Sequence, residues 1–445
     1  MEDPRRSTPR TDHVLADDRL RAAAARLGPR IVKSAVSGAL DRCRAGEITP
    51  SEVADAALSS LPGSASSLRR VVNATGVVVH TNLGRAPLSE AAAEAVATAA
   101  GATNVELDLA TGRRDRRGRS AMEALAAAVP TAGGVHVVNN GAAALALVTC
   151  ALAGGPAPGR TVVVARGEMV EIGDGFRIPD LLASMGARLR EVGTTNRVRL
   201  ADYAAAVDSD TAFVLKVHPS NFVVSGFTSS VPVSELATLP VPVVADIGSG
   251  LLAPHPRLPD EPSASEVLEA GAALVTASGD KLLGGPQCGL LLGDLALVES
   301  LRRHPFARAL RVDKLTLAAL EATLIGPAPP VVAALSSAAD ELMVRAARMA
   351  SKLSGVVDAE AVASTAVVGG GGAPGVRLPS AAVALPPALA DLVRTGEPPV
   401  VGHVENGRLL LDLVAVDPSE DAAVVDTVVE AVRRAGPPTA AAPRA

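Results

Sequence analysis

The chain has 445 residues, with 42 Lys+Arg against 47 Asp+Glu, and its net charge of −5 excludes a globally basic nucleic-acid coat while leaving room for a local basic patch. Its 48% hydrophobic content suffices for a large core in two or three domains, but with one Tyr and no Trp that core must be packed by small and branched aliphatic side chains. Three cysteines (Cys43, Cys150, Cys288) and seven scattered histidines lack metal-ligand spacing, so neither a disulfide framework nor a metal site is expected, and the thiols suit a reducing cytoplasm.

The N-terminal stretch lacks the apolar core of a signal peptide. No run approaches the roughly 20 apolar residues needed to span a bilayer, so no membrane partner is expected. The first fifteen or so residues read as disordered. Short helices are predicted over Asp17–Leu27, Arg30–Ala45 and Ser51–Ser60, the last started by Thr49-Pro50-Ser51. Leu61–Ser67 reads as a linker. Residues 1–70 thus form a small helical domain with 12 basic and 9 acidic residues, a balance of +3, which leaves −8 for the remainder.

From about residue 133 strand-like runs alternate with helical stretches: Val135–Val138, Thr161–Ala165, Arg188–Val192, Ala212–Val217, Val241–Ala245, Ala273–Ala277 and Cys288–Leu292. Several are continuously apolar, as in a parallel sheet buried on both faces. Seven such strands predict a doubly wound, mostly parallel α/β domain over 71–325. After residue 326 the pattern changes to a small α+β domain, 326–445. It contains a long helix (Pro330–Leu353), a glycine-rich break (Gly369–Gly372), a hairpin turning at Glu405-Asn406-Gly407-Arg408 and a closing helix (Glu420–Ala435).

Only five of the 42 basic residues are lysines, and one of them, Lys281, stands between a strand-like run and a glycine pair in SGDKLLGGPQ. Unlike Arg, Lys can become a neutral amine and form a Schiff base. Taken alone it reads as a solvated loop lysine, and its context reverses that reading. Two further features fall at predicted strand ends, where open α/β sheets place ligands. Asn140-Gly141-Ala142 enters a helix after the first strand, a turn that presents N–H groups to a phosphate or is simply an N-cap. Asp246 closes the fifth strand, either capping the next element or facing a ligand. An Asp, then a Lys one strand later, above a phosphate turn, is the layout of a pyridoxal 5′-phosphate site: the aldehyde needs the amine, the pyridine nitrogen a carboxylate, the phosphate a helix N-terminus.

Six segments, Asn73–Arg85, Arg166–Gly173, Glu191–Arg197, Lys216–Phe222, Ser278–Gln287 and Arg308–Lys314, resemble bacterial selenocysteine synthase, the L-seryl-tRNA(Sec) selenium transferase family. The resemblance runs from about residue 70 to 420 and continues more loosely into the N-terminal helices. It implies a fold-type-I pyridoxal-phosphate transferase that converts L-seryl-tRNA(Sec) to L-selenocysteinyl-tRNA(Sec) with selenophosphate, by way of an aminoacrylyl-tRNA held on the cofactor. By the same resemblance Lys281 carries the cofactor and acts as base at the serine Cα, and Asp246 pairs with the pyridine nitrogen. Asn140, Gly141 and Ala142, with Ser278, hold the phosphate, while Arg85, Thr194, Thr195, Asp280, Arg308 and Arg311 lie at the selenium-donor site. Three forked guanidinium groups suit a compact anion, each charge-assisted contact being worth about 1.5–3 kcal/mol.

Without the family, Arg85 is a loop charge, and Arg308 and Arg311 share a solvated helix face. His218 is either a core histidine or a cofactor contact. Two departures from the family pattern are Gly141, where a polar residue is common, and the Arg-rich run Arg113–Arg119, which either touches RNA or is a solvated loop. The resemblance further implies that the N-terminal domain recognises the tRNA body and that the chain forms a homo-oligomer, a ring of dimers. Two rivals are a pyridoxal-phosphate lyase acting on a free amino acid or amino sugar, and a tRNA-binding scaffold with an idle cofactor fold.

Overall fold

Leu20, Val32, Val36, Leu40, Val53 and Ala57 recur at helical spacing and are almost fully buried, so each N-terminal helix turns one apolar stripe onto the others. The structure is a computed structural model that describes residues 8–154, 159–173 and 175–436. Helices Thr11–Leu15, Asp18–Leu27, Pro29–Arg44 and Val53–Ser59 form a unit that ends at Arg70. Asp17 caps the second helix by accepting from Arg19 N at 2.8 Å, and Arg19 reaches Asp55 at 2.8 Å. The expectation of a disordered start is corrected from Thr11 onward, because Val14 is buried in this core; residues 1–7 lie outside the described residues.

A second unit begins at Val71. Its large sheet comprises β1 (Gly134–Val138), β2 (Thr161–Ala165), β3 (Arg188–Val192), β4 (Thr211–Val217), β5 (Val243–Gly248), β6 (Leu274–Ser278) and β7 (Gly289–Gly293). The strand order is β1-β7-β6-β5-β4-β2-β3. All pairings are parallel except those of β7, which is antiparallel to β6 and β1. The reason lies in the connection: residues 279–288 are too few for a parallel crossover, so the chain turns straight back. Alternate residues enter opposite cores. Leu291 joins Val138 and Val162 on one face, while Leu290 and Leu292 join Val137 and Ala277 on the other. That two-sided burial explains the continuous apolar runs.

The second sheet is built from Glu360–Gly369, Arg377–Leu385, His403–Glu405 and Arg408–Asp412, all antiparallel, with Val77–Val79 added in parallel at its edge. Asn406 (φ 49°) and Gly407 (φ 74°) make the expected hairpin turn. Three readings differ from expectation. Pro330–Leu353 is two helices, Pro330–Ser336 and Ala339–Leu353, because the chain is extended at Ser337 and Ala338 while the Ser336 and Ser337 hydroxyls donate back to Val332 O and Ala333 O. Lys314–Ser336 is long and apolar enough by composition to cross a membrane. It is nevertheless broken after Ile325 by Gly326-Pro327-Ala328-Pro329, and its Leu317, Leu320, Val331 and Leu335 pack into the protein cores. Finally, Val72, Ala74, Val78 and Val79 belong to the core of the C-terminal sheet.

Candidate active site

The turn between β6 and β7 carries Lys281 at the C-terminal end of the parallel strands. Backbone bonds fix it: Gly279 N donates to Cys288 O at 2.8 Å, Leu282 N to Ser249 O at 2.8 Å and Gly285 N to Gly279 O at 2.9 Å. Lys281 is only 8% exposed. Burial pulls its amine below the usual lysine range, and the nearby Asp246 and Asp280 carboxylates offset only part of that effect. A buried amine that readily loses its proton is a nucleophile. Its neighbour Asp280 is buried and takes the Arg85 guanidinium at 2.6 Å. Arg85 adopts a left-handed backbone (φ 68°) and donates its N–H to His80 O at 3.0 Å, closing the turn that aims it.

Asp246 lies on β5, one strand from Lys281. Thr276 Oγ1 donates to its Oδ1 at 2.8 Å, and burial pushes its pKa up. A buried carboxylate whose charge is costly there is suited to a protonated ring nitrogen. His218 N donates to Asp246 O at 2.9 Å, and the His218 ring meets Glu261 Oε2 through Nε2 at 3.2 Å. Glu261 Oε2 also accepts from Ala373 N at 2.6 Å, which ties the glycine loop 369–375 to this layer. That loop presses on the amine: a Cβ at Gly371 (φ 86°) would stand 2.7 Å from Lys281 Nζ.

Asn140 caps the helix Gly141–Leu152 by accepting from Ala143 N at 2.8 Å. The first N–H groups, those of Gly141 and Ala142, can have no partner within the helix. Ser278, at the end of β6, faces this turn so closely that a Cβ on Gly141 would meet its Oγ at 2.6 Å. The missing polar side chain at 141 is thereby explained. Two cavities flank the layer. One, about 330 Å³, is lined by Asp246, His218, Thr194, Thr195, Lys216 and Arg197. The other, about 510 Å³, is lined by Lys281, Arg85, Thr81, Phe222 and the glycine loop.

A family model described as L-seryl-tRNA selenium transferase matches residues 71–417, and one described as selenocysteine synthase N terminal matches residues 5–44. The L-seryl-tRNA(Sec) selenium transferase of Geobacter sulfurreducens is 42% identical over 95% of this chain and 98% of its own. The chain belongs to the L-seryl-tRNA selenium transferase family. The enzyme of the same name from Hyphomonas neptunium is 45% identical over 78% of this chain and 79% of its own. Among solved structures, D-glucosaminate-6-phosphate ammonia-lyase covers 83% of this chain and 97% of its own with a TM-score of 0.58; at 18% identity it speaks for the fold alone. The fold is that of fold-type-I pyridoxal-phosphate enzymes, with the seven-stranded mixed sheet and a helical N-terminus.

For a member of this transferase family, the placement of the expected site residues is uneven. Lys281, Asp280, Arg85, Asp246, Ser278 and the Asn140–Ala142 turn converge at one end of the sheet. Thr194 and Thr195 line the Asp246 cavity from the loop after β3, where Thr194 Oγ1 donates to Arg197 O at 3.1 Å. Arg308 and Arg311 are not brought to Lys281 within the chain. Both are exposed and line neither cavity, and Arg311 lies 3.9 Å from Glu106. Their segment still touches the Asn140–Ala142 turn, because Asn139 N donates to Leu310 O at 3.1 Å. Most charges of the Arg113–Arg119 run are paired, Arg114 and Arg117 with Glu106, Arg116 with Glu299 and Arg119 with Asp115. Sequence reasoning missed the Glu168–Lys216 pair (2.5 Å) and the Glu261 link. The scarcity of lysine that singles out Lys281 applies equally to Lys216, two residues before His218.

Proposed function

We propose that this chain converts L-seryl-tRNA(Sec) to L-selenocysteinyl-tRNA(Sec), with selenophosphate as selenium donor and pyridoxal 5′-phosphate held on Lys281. The observation that carries the reading is the buried Lys281 amine, its pKa lowered by that burial, one strand from Asp246 in a chain aligned almost end to end with a named seryl-tRNA(Sec) transferase. The residues fit the cofactor. Gly371 leaves room at the amine that only a glycine provides, Asp246 suits a ring cation, and the Gly141 turn with the Ser278 hydroxyl forms a cradle that a Cβ would fill. Pyridoxal phosphate, when bound, supplies an aldehyde carbon for an amine and a ring that takes up electrons released at the adjoining carbon.

The chain's own groups divide the remaining work. Lys281 yields its place to the seryl amine and then takes the proton from Cα. The β-hydroxyl would leave with a proton as water, selenium of the donor would bond to Cβ, a water would take the phosphoryl group from selenium as phosphate, and Lys281 would return the proton to Cα. Asp246 keeps a positive charge on the ring nitrogen. Asp280 fixes Arg85 beside Lys281, so that a guanidinium faces the donor anion. Thr194 and Thr195 offer hydroxyl donors from the facing cavity. Arg308 and Arg311 complete the donor site in our reading when a second copy presents them, which makes the homo-oligomer part of the function. We further place the enzyme in the cytoplasm and assign the tRNA body to the N-terminal helices. The lyase reading is supported only by a fold likeness at 18% identity, against 42–45% for the transferases.

Replacing Lys281 tests the chemistry. Lys281→Ala should abolish turnover and leave no cofactor that borohydride can fix to the chain, while thermal unfolding still reports a folded protein. Retained turnover contradicts the assignment.

A further inference from the structure

The chain has five Phe, one Tyr and no Trp. Among the described residues the only exposed aromatics are Phe222 (39% exposed) and Phe227 (77%), and both lie on the loop that follows β4. Two exposed rings on one loop, in a chain with so few aromatics, form an apolar spot open to a partner. The loop is held in place: Asn196 Nδ2 donates to Phe227 O at 2.6 Å, and Asn221 Nδ2 to Glu171 O at 3.2 Å. It forms a wall of both site cavities, through Val224 in one and Phe222 in the other. Arg197 lies over the Phe227 ring, 4.3 Å from its centroid. Its Nε is buried without a hydrogen-bond partner, and no carboxylate pairs with its guanidinium among the described residues.

Aromatic faces beside an uncompensated guanidinium are what single-stranded nucleic acid uses: bases stack on the rings and a phosphate takes the charge. The proposed substrate must deliver its seryl ester to Lys281 on exactly such a strand, the unpaired 3′ end of the tRNA. We infer that Phe222, Phe227 and Arg197 seat the unpaired 3′-terminal nucleotides of the aminoacyl-tRNA at the mouth of the Lys281 cavity. This rests on the seryl-tRNA reading and adds the element that guides the ester in. Exposed Val223 and Val224 stand between the two rings and give the bases an apolar floor, while the uncompensated Arg197 and the polar Thr194-Thr195-Asn196 turn beside it favour a charged strand over a helix or lipid surface.

The test uses the full-length, cofactor-loaded protein and two RNAs: seryl-tRNA(Sec), and the same tRNA trimmed of its unpaired 3′ end. Phe222→Ala and Phe227→Ala should each weaken binding of the intact tRNA by about tenfold, the low side of what a base–aromatic stack supplies. Phe227→Tyr, which keeps a ring, should restore most of the affinity, and Arg197→Ala should flatten the salt dependence. Wild type and variants should bind the trimmed tRNA equally. Equal weakening on both RNAs, or none on the intact one, overturns the proposal. So does a fall in oligomer mass with tRNA affinity unchanged, which would make the loop a subunit contact. If wild type binds neither RNA, the seryl-tRNA reading itself has failed and the seat falls with it.

Discussion

At the scale of single residues the site depends on how tightly Lys281 is enclosed. Burial makes the ammonium form costly and lowers the pH at which the free amine that attacks an aldehyde appears. Capture of pyridoxal phosphate by the apoprotein should therefore reach its plateau below the pH at which an ordinary lysine loses its proton; a plateau at the ordinary value contradicts this. Gly371 is the other half of the enclosure. Gly371→Ala puts a Cβ against Nζ on a left-handed backbone, which costs about 1–2 kcal/mol for the backbone alone. We expect a lower unfolding temperature and at least a tenfold weaker cofactor titration. An unchanged titration would show that the loop yields freely.

Lys281 and Asp246 were legible in the sequence because each closes an apolar run with a residue type of distinctive chemistry. The Glu261 link was not. Its carboxylate meets Ala373 across 112 positions of chain, and no local pattern records such a contact. Arg85 was legible only through the family motif, since its aim depends on a left-handed turn and on Asp280, 195 positions away.

Among the elements, the decisive one is the short β6–β7 connection, which forces an antiparallel return and so sets Lys281 where β5 and β1 also end. The seven strands were readable because two-sided burial leaves continuous aliphatic runs. Glu360–Gly369 and Arg377–Leu385 were not: burial in the first alternates from Ala363 to Val368, but the small Ala, Ser and Thr side chains there leave little hydropathy contrast to mark the period. The seven-stranded sheet carries a pH-sensitive group. His136, in β1, is held neutral by burial and by Arg302 and Arg116, with its pKa pushed down to about 4. The unfolded chain binds this proton near pH 6.5 and the folded chain does not. Stability is thus full above pH 6.5 and is lost as pH falls toward 4, by about 2–3 kcal/mol. Urea midpoints of wild type minus His136→Gln, followed from pH 7 to 4, should show that loss; a flat difference contradicts it.

On the scale of the whole molecule, the helical unit before Arg70 has its own core and carries +3 of charge in a chain that is otherwise −8. If it grips the tRNA body, deleting residues 1–60 should raise the KM for seryl-tRNA(Sec) and flatten its salt dependence while leaving cofactor capture intact. An unchanged KM would remove that role. The separate core was legible from helical periodicity, whereas the separation of Arg308 and Arg311 from Lys281 was not, because spacing along the chain does not say which segments the fold brings together.

The central claim is the conversion itself. Purified, cofactor-loaded protein is incubated with serine-labelled seryl-tRNA(Sec), with and without selenophosphate, the ester is hydrolysed and the amino acid identified. Selenocysteine is expected only when the donor is present. Serine recovered unchanged under both conditions, from protein whose bound cofactor still reacts with small amino compounds, would contradict it.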